Sequence, residues 1–183
     1  MHYFWSLFSS DNGRFLIGRK PHLFALFYEV DKQEIAQRKF CISWLPDSKE
    51  YTLFGSATKG RNWGLKETLL ATPKDALPVC SWGPAEVSSG FFERAYNLKT
   101  DLDQNRYQYK VLDWTAKNCR NCTSALAELD QNHSFPVGTK SGHIAAKAMW
   151  KFYQNHYRSD KNPHPIENYF EELKDFKFWE KAK

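Results

Sequence analysis

Two residues a hundred positions apart have the types that thiol chemistry requires. Cys122 lies in Asn118-Cys119-Arg120-Asn121-Cys122-Thr123-Ser124-Ala125-Leu126, and His22 heads the apolar run His22-Leu23-Phe24-Ala25-Leu26-Phe27. A cysteine attacks as its thiolate, and a helix N-terminus lowers its pKa because unpaired backbone N–H groups and the helix dipole favour negative charge. The same N–H groups can receive the oxyanion that develops on an acyl substrate. An imidazole on a rigid strand would take the thiol proton and return it to the leaving group. The pair therefore points to acyl transfer through a thioester.

Each assignment has a competitor. Asn-Cys occurs twice, so Cys119 stands beside Cys122 as nucleophile, with Cys122 favoured because it begins the apolar helix positions. His143 competes with His22, but Ser141-Gly142-His143 reads as the start of a helix; His133 lies in a polar loop, His156 and His164 in polar surroundings near the tail, and His2 ahead of any recognisable element. A hairpin turning at Lys32-Gln33 would set Ser43 opposite His22 on one face, making Ser43 the orienting third residue; a slip of one would substitute Ile42 or Trp44. Cys119-x-x-Cys122 is also half of a zinc site or a redox pair, yet Cys41, Cys80, His133 and His143 lack ligand spacing and no βαβ setting surrounds it. No metal and no cofactor are expected.

The elements that must position these groups change character along the chain. Phe15–Ile17, His22–Val30, Lys39–Leu45 and Tyr51–Phe54 are short apolar or alternating runs between polar breaks, which predicts an antiparallel meander. From Gly83 the period lengthens: Pro84 at a first helical position, then Val87, Phe91, Ala95, Leu98 and Leu102, predict an amphipathic helix. Tyr107–Leu112 reads as extended. Cys122, Ala125, Leu126 and Leu129 share one face of a second helix. Two more helices are expected at about 143–157 and 165–180, separated by Pro163 and Pro165. The glycines of Lys59–Gly64 lack phosphate-loop spacing and read as a flexible loop. The expectation is an α+β fold, an antiparallel sheet from the first half packed against helices from the second.

Composition bounds the rest. At 183 residues, with 42% hydrophobic and 16% aromatic side chains spread along the length, the chain reads as one folded domain, 1–183. The net charge of +5 is interleaved with acids, so neither a basic stripe nor a nucleic-acid module is evident and no nucleic-acid partner is expected. The mixed charges of the last twenty residues suggest the solvated face of a helix. No run approaches the ~18 apolar residues of a membrane span. Met1–Phe8 lacks a basic leader and is too short for a signal-peptide core, which predicts a cytoplasmic protein or one secreted by a signal-peptide-independent route. Four cysteines are too few for a disulfide scaffold and are expected to be reduced.

Together, a histidine on an early strand, Ser43-Trp44-Leu45-Pro46 on the next, a helix, the Tyr107-to-Leu112 approach and an Asn-Cys dipeptide opening a helix resemble the circularly permuted papain-like cysteine hydrolases, similar in fold to NlpC-type peptidases and lecithin:retinol acyltransferase. The resemblance covers about residues 15–130 and leaves 141–183 as a C-terminal helical extension. It implies a peptidase, amidase or acyltransferase acting on a peptide, peptidoglycan or acyl substrate, with Cys122 as nucleophile and His22 as base. A secreted bacterial effector with an immunity or inhibitor protein would suit such an enzyme. The competing reading is a non-enzymatic binding module for an acidic partner, in which the cysteines are structural.

Overall fold

A computed structural model describes residues 1–10, 22–47, 56–72, 79–111, 118–132, 135, 142–158, 165–176 and 179–181. The expected strands at Phe15–Ile17 and Tyr51–Phe54, together with His133, His164 and Pro163, lie outside these residues. The fold is α+β, with mainly antiparallel sheets packed against helices.

The larger sheet is built on β1 (His2–Ser9), β2 (Leu23–Val30), β3 (Ala36–Ile42), β6 (Val79–Val87) and β10 (Trp179–Lys181), in the order β10-β6-β1-β2-β3, with β9 (Tyr157–Arg158) pairing on β6. Its central strands are covered on both faces, which is why β2 is buried at every position and reads as a continuous apolar run. Alternation sorts the side chains. Trp5, Leu7, Leu23, Ala25, Phe27, Phe40 and Ile42 pack into one core with α2 (Ser89–Asp103), α3 (Cys122–Ala127) and α4 (Gly142–Phe152). Phe4, Phe8, Phe24, Leu26, Tyr28 and Cys41 form a second core on the opposite face with α1 (Leu65–Ala71) and α5 (Glu171–Asp175). A smaller sheet, β4 (Trp44–Pro46), β5 (Thr58–Asn62), β7 (Gln108–Tyr109) and β8 (Cys119–Arg120), leads directly into α3.

Four expectations are corrected. Residues 2–9, assigned to no element by periodicity, form the strand between β2 and β6. The helix expected from Pro84 starts five residues later: residues 84–87 belong to β6, and Ser88 nucleates the helix by accepting the Phe91 N–H on Oγ at 3.2 Å. Gly83 within β6 has φ 103°, and an added Cβ would lie 2.8 Å from the Trp150 ring, so only glycine fits. Lys59–Gly64 is not a flexible loop: Thr58–Asn62 is β5, hydrogen-bonded to β4 and β7, and Gly64 caps α1. The helix expected at 165–180 is a 3-10 turn at Ile166–Asn168, the short α5, and β10, which pairs parallel with β6. The spacing of Ile166, Tyr169, Phe170 and Leu173 set that expectation; these residues do pack into the second core, but from a 3-10 turn and a short helix rather than one continuous helix.

Candidate functional site

The β2–β3 hairpin places the first pair. Its turn spans Asp31–Ile35, closed by Asp31 N–H to the Ile35 carbonyl at 3.1 Å and by Asp31 Oδ1 accepting from the Gln33 and Ile35 amides. That turn is longer than one at Lys32-Gln33, and a bulge follows between Glu29 and Val30. Ala25 therefore pairs with Ile42 and Phe27 with Phe40, and continuing the register sets Ser43 opposite Phe24, not His22. The slip is two residues. Because side chains alternate with period two, a slip of two keeps the face, and His22 meets Ser43 on the diagonal.

His22 Nε2 and Ser43 Oγ are 2.8 Å apart. Ser43 Oγ is 2.7 Å from Thr68 Oγ1 on α1, and Thr68 Oγ1 donates to the Gly64 carbonyl at 2.9 Å. The end of this chain fixes all of it. The Thr68 hydroxyl proton is spent on Gly64, so Thr68 accepts from Ser43, and Ser43 must accept from His22. Nε2 therefore carries the imidazole proton and Nδ1 presents its lone pair. Among the described residues the buried Nδ1 has no hydrogen-bond partner, sulfur included. Ser43 is itself immobilised, its N–H on Asn62 Oδ1 at 2.8 Å and its carbonyl accepting from the Trp63 N–H at 2.9 Å.

Thr68 had no sequence signal. A threonine in the first turns of a helix usually bonds back to its own backbone, as this one does, and only the docking of α1 on the second core brings it to Ser43. Replacing Ser43 by alanine leaves the buried Nε2–H and the Thr68 oxygen each one partner short. A loss of about 1–3 kcal/mol is expected in urea unfolding; an unchanged midpoint would show the chain to be idle.

Cys122 opens α3. Asn121 is the N-cap, its Oδ1 accepting from the Thr123 and Ser124 amides at 2.9 Å each, while its Nδ2 donates to the Val111 carbonyl at 2.8 Å. Ala125, Leu126 and Ala127 bury the helix against the first core, close to β2. The capping oxygen consumes two of the first-turn amides expected to serve an oxyanion, leaving the Cys122 N–H. The pKa expectation is also reversed: burial pushes the Cys122 thiol up, opposed by the Leu23 N–H, the Thr123 hydroxyl and amide, and the Cys122 N–H, all turned toward the sulfur. A short capped helix cannot offset desolvation of a thiol only 8% exposed. Cys119 sits on β8 and at no helix terminus.

His22 is 7% exposed, and burial pushes its imidazole down to about 3. The structure joins His22 to Ser43 and sets the Cys122 sulfur against the N–H of the residue after His22, but no hydrogen bond links sulfur to imidazole. His22 stacks on Phe24, with ring centroids 5.8 Å apart, toward the α1 face, whereas Cys122 belongs to the α3 core. His143 lies in α4 against Trp82, 5.1 Å between centroids.

The depressed imidazole has a sign that can be tested. Unfolded His22 binds a proton below about 6.5, the folded side chain only near 3, so its contribution is full above 6.5 and is lost as pH falls through that window. The slope is about 1.4 kcal/mol per pH unit at its steepest. His22→Gln keeps a donor to Ser43 but cannot titrate. Urea midpoints between pH 6.5 and 5 should fall more steeply for the natural chain than for this variant, and parallel curves would refute the burial of a neutral imidazole.

The four cysteines are buried and none of them forms a disulfide. Among the described residues, no group of three or more His, Cys, Asp or Glu is arranged to hold a metal ion, and no helix is long and apolar enough to cross a membrane. No protein-family model, curated protein or solved structure matches the chain.

Proposed function

We propose that this chain is a papain-like cysteine hydrolase or acyltransferase cleaving an amide or ester, with Cys122 as nucleophile, His22 as general base and Ser43 as the residue that orients the imidazole. The observation that carries the reading is the polarity of His22. The chain through Ser43 and Thr68 to Gly64 commits Nε2 as a donor and leaves Nδ1 a buried, unpartnered lone pair. Such a group is costly to keep, and a role in proton transfer is one of the few reasons to keep it. The Cys122 thiol lies against the N–H of the next residue, Leu23.

The chemistry follows from the resting protonation states. Thiol and imidazole are both neutral, so attack requires movement of Nδ1 onto the thiol proton as the substrate carbonyl arrives. The sulfur–carbon bond forms, the proton passes to Nδ1, and the oxyanion faces the Cys122 N–H. Collapse breaks the bond to the amine or alcohol, which takes the proton from Nδ1. Water, deprotonated by the same nitrogen, or an acceptor nucleophile then releases the acyl group. Imidazolium at Nδ1 still donates from Nε2 to Ser43, so the orienting bond survives both states.

A second reading, a binding module with structural cysteines, is favoured by the burial of all four thiols and by the lack of a sulfur–imidazole bond. Acylation separates the two. The enzymatic reading expects slow labelling of Cys122 by iodoacetamide at pH 7, rising with pH, and fast stoichiometric acylation of Cys122 by an activated ester, seen as a mass increment on its tryptic peptide. Equal reactivity of all four cysteines toward the ester would favour the binding module.

A further inference from the structure

A cavity of about 300 Å³ lies beside β3, the last strand of the larger sheet among the described residues, bounded by the start of α1, the end of α2 and the start of α5. Its volume is at the small end of the range for ligand sites. Two ammonium groups, Lys39 and Lys99, and two carboxylates, Asp103 and Glu172, line it beside the Trp63 and Phe170 rings. The charges are unevenly matched. Lys99 Nζ is 2.5 Å from Asp103 Oδ2, and Asp103 Oδ1 accepts from Asn62 at 3.1 Å, so that pair is complete. Lys39 Nζ donates only to the Tyr169 carbonyl at 3.0 Å, with the Phe170 ring 5.9 Å away. No ion pair within 4.0 Å joins Lys39 to a carboxylate or Glu172 to a cation among the described residues.

One unmatched cation and one unmatched anion thus face a common concavity without meeting. A purely anionic or cationic ligand would satisfy one and oppose the other. A small zwitterion satisfies both while leaving the net charge of the cavity unchanged, and the two rings offer its apolar part contact area.

We propose that this cavity binds a small zwitterionic ligand of the free amino acid class with an apolar or aromatic side chain, its carboxylate toward Lys39 and its ammonium toward Glu172. The site does not rest on the hydrolase reading, because Cys122 and His22 take no part in it.

The probe is free phenylalanine, followed through the indole N–H resonances of the seven tryptophans, with Trp63→Phe identifying the Trp63 signal. Saturable movement of the Trp63 resonance, with that of the core residue Trp5 unmoved, is expected at millimolar or lower ligand. N-acetylphenylalaninamide, which lacks both charges, should bind at least tenfold more weakly, and Lys39→Met and Glu172→Gln should each lose about tenfold or more for phenylalanine. Both substitutions are at side chains outside the cores, and unchanged thermal midpoints verify that they fold. Absence of saturable binding, equal affinity for the uncharged analogue, or indifference to both substitutions would each overturn the proposal.

Discussion

Cys122→Ala is expected to reduce turnover of an activated ester to background while leaving stability nearly unchanged. Removing the nucleophile of a covalent mechanism removes the step itself, and losses of about 10⁴-fold or more are usual. The fold should tolerate the change because the Cys122 side chain is already a small buried group in the α3 core, and alanine matches its neighbours Ala125 and Ala127. The Asn121 cap that holds α3 uses backbone amides and survives intact. His22→Gln should show a comparable loss of acylation with the Ser43 contact retained, whereas Cys119→Ala should act normally. Full activity in Cys122→Ala would remove Cys122 as the nucleophile, absence of turnover in the natural chain would end the enzymatic reading, and loss of the native unfolding transition in the variant would show the thiol to be structural.

The second large effect reaches the same helix from the fold. A Cβ on Gly60 would lie 2.1 Å from Trp44 Cζ2 and 2.5 Å from Cη2. Trp44 is fully buried, and its indole N–H donates to the Arg120 carbonyl at 3.1 Å, one residue before the Asn121 cap. In Gly60→Ala the indole must leave its slot, losing that hydrogen bond and overpacking the small sheet. A destabilisation of about 2–4 kcal/mol is expected in urea. Trp44→Phe shortens the ring where the clash occurs, so the cost of Gly60→Ala should shrink in that background. Equal costs in both backgrounds would disprove the steric account. Displacing Arg120 also shifts the start of α3, so Cys122 acylation should fall along with stability.

How far the residues spoke for themselves differs from element to element. The pattern of β2 was legible because it carries a long apolar run between polar turns, and the cysteine helix because Cys122, Ala125, Leu126 and Leu129 recur at helical spacing; β3 was legible only in part, since it begins at Ala36 with polar residues and the strand expected over Lys39–Leu45 is divided at Ser43 between β3 and β4. The strand at 2–9 was not, since a run covered on both faces has no alternation to distinguish it from other apolar segments. The helix start at 89 was misplaced because Val87 continues the helical spacing by coincidence while its backbone pairs with Tyr3. The C-terminal segment failed for a related reason: Ile166, Tyr169, Phe170 and Leu173 recur at helical spacing and the charges around them read as a solvated helix face, yet the backbone ends by pairing with β6 at a sheet edge.

At the candidate site the same division holds. Sequence alone offered His22 and Ser43 as partners on one face, and the pairing held because the register differs by two residues, which period-two alternation survives, rather than by one. It also placed Cys122 in the first turn of a helix, because Ala125, Leu126 and Leu129 follow at helical spacing, while the Asn121 cap and the position of Cys119 on β8 came from the structure. Only the tertiary structure decided the rest. Thr68 enters through the docking of α1, the imidazole tautomer follows from where the Thr68 hydroxyl sends its proton, and burial sets the thiol and imidazole neutral against the bias of a helix terminus. Hydrogen-bond direction and desolvation depend on which surfaces close over a side chain, and that is fixed by packing between segments distant in the chain.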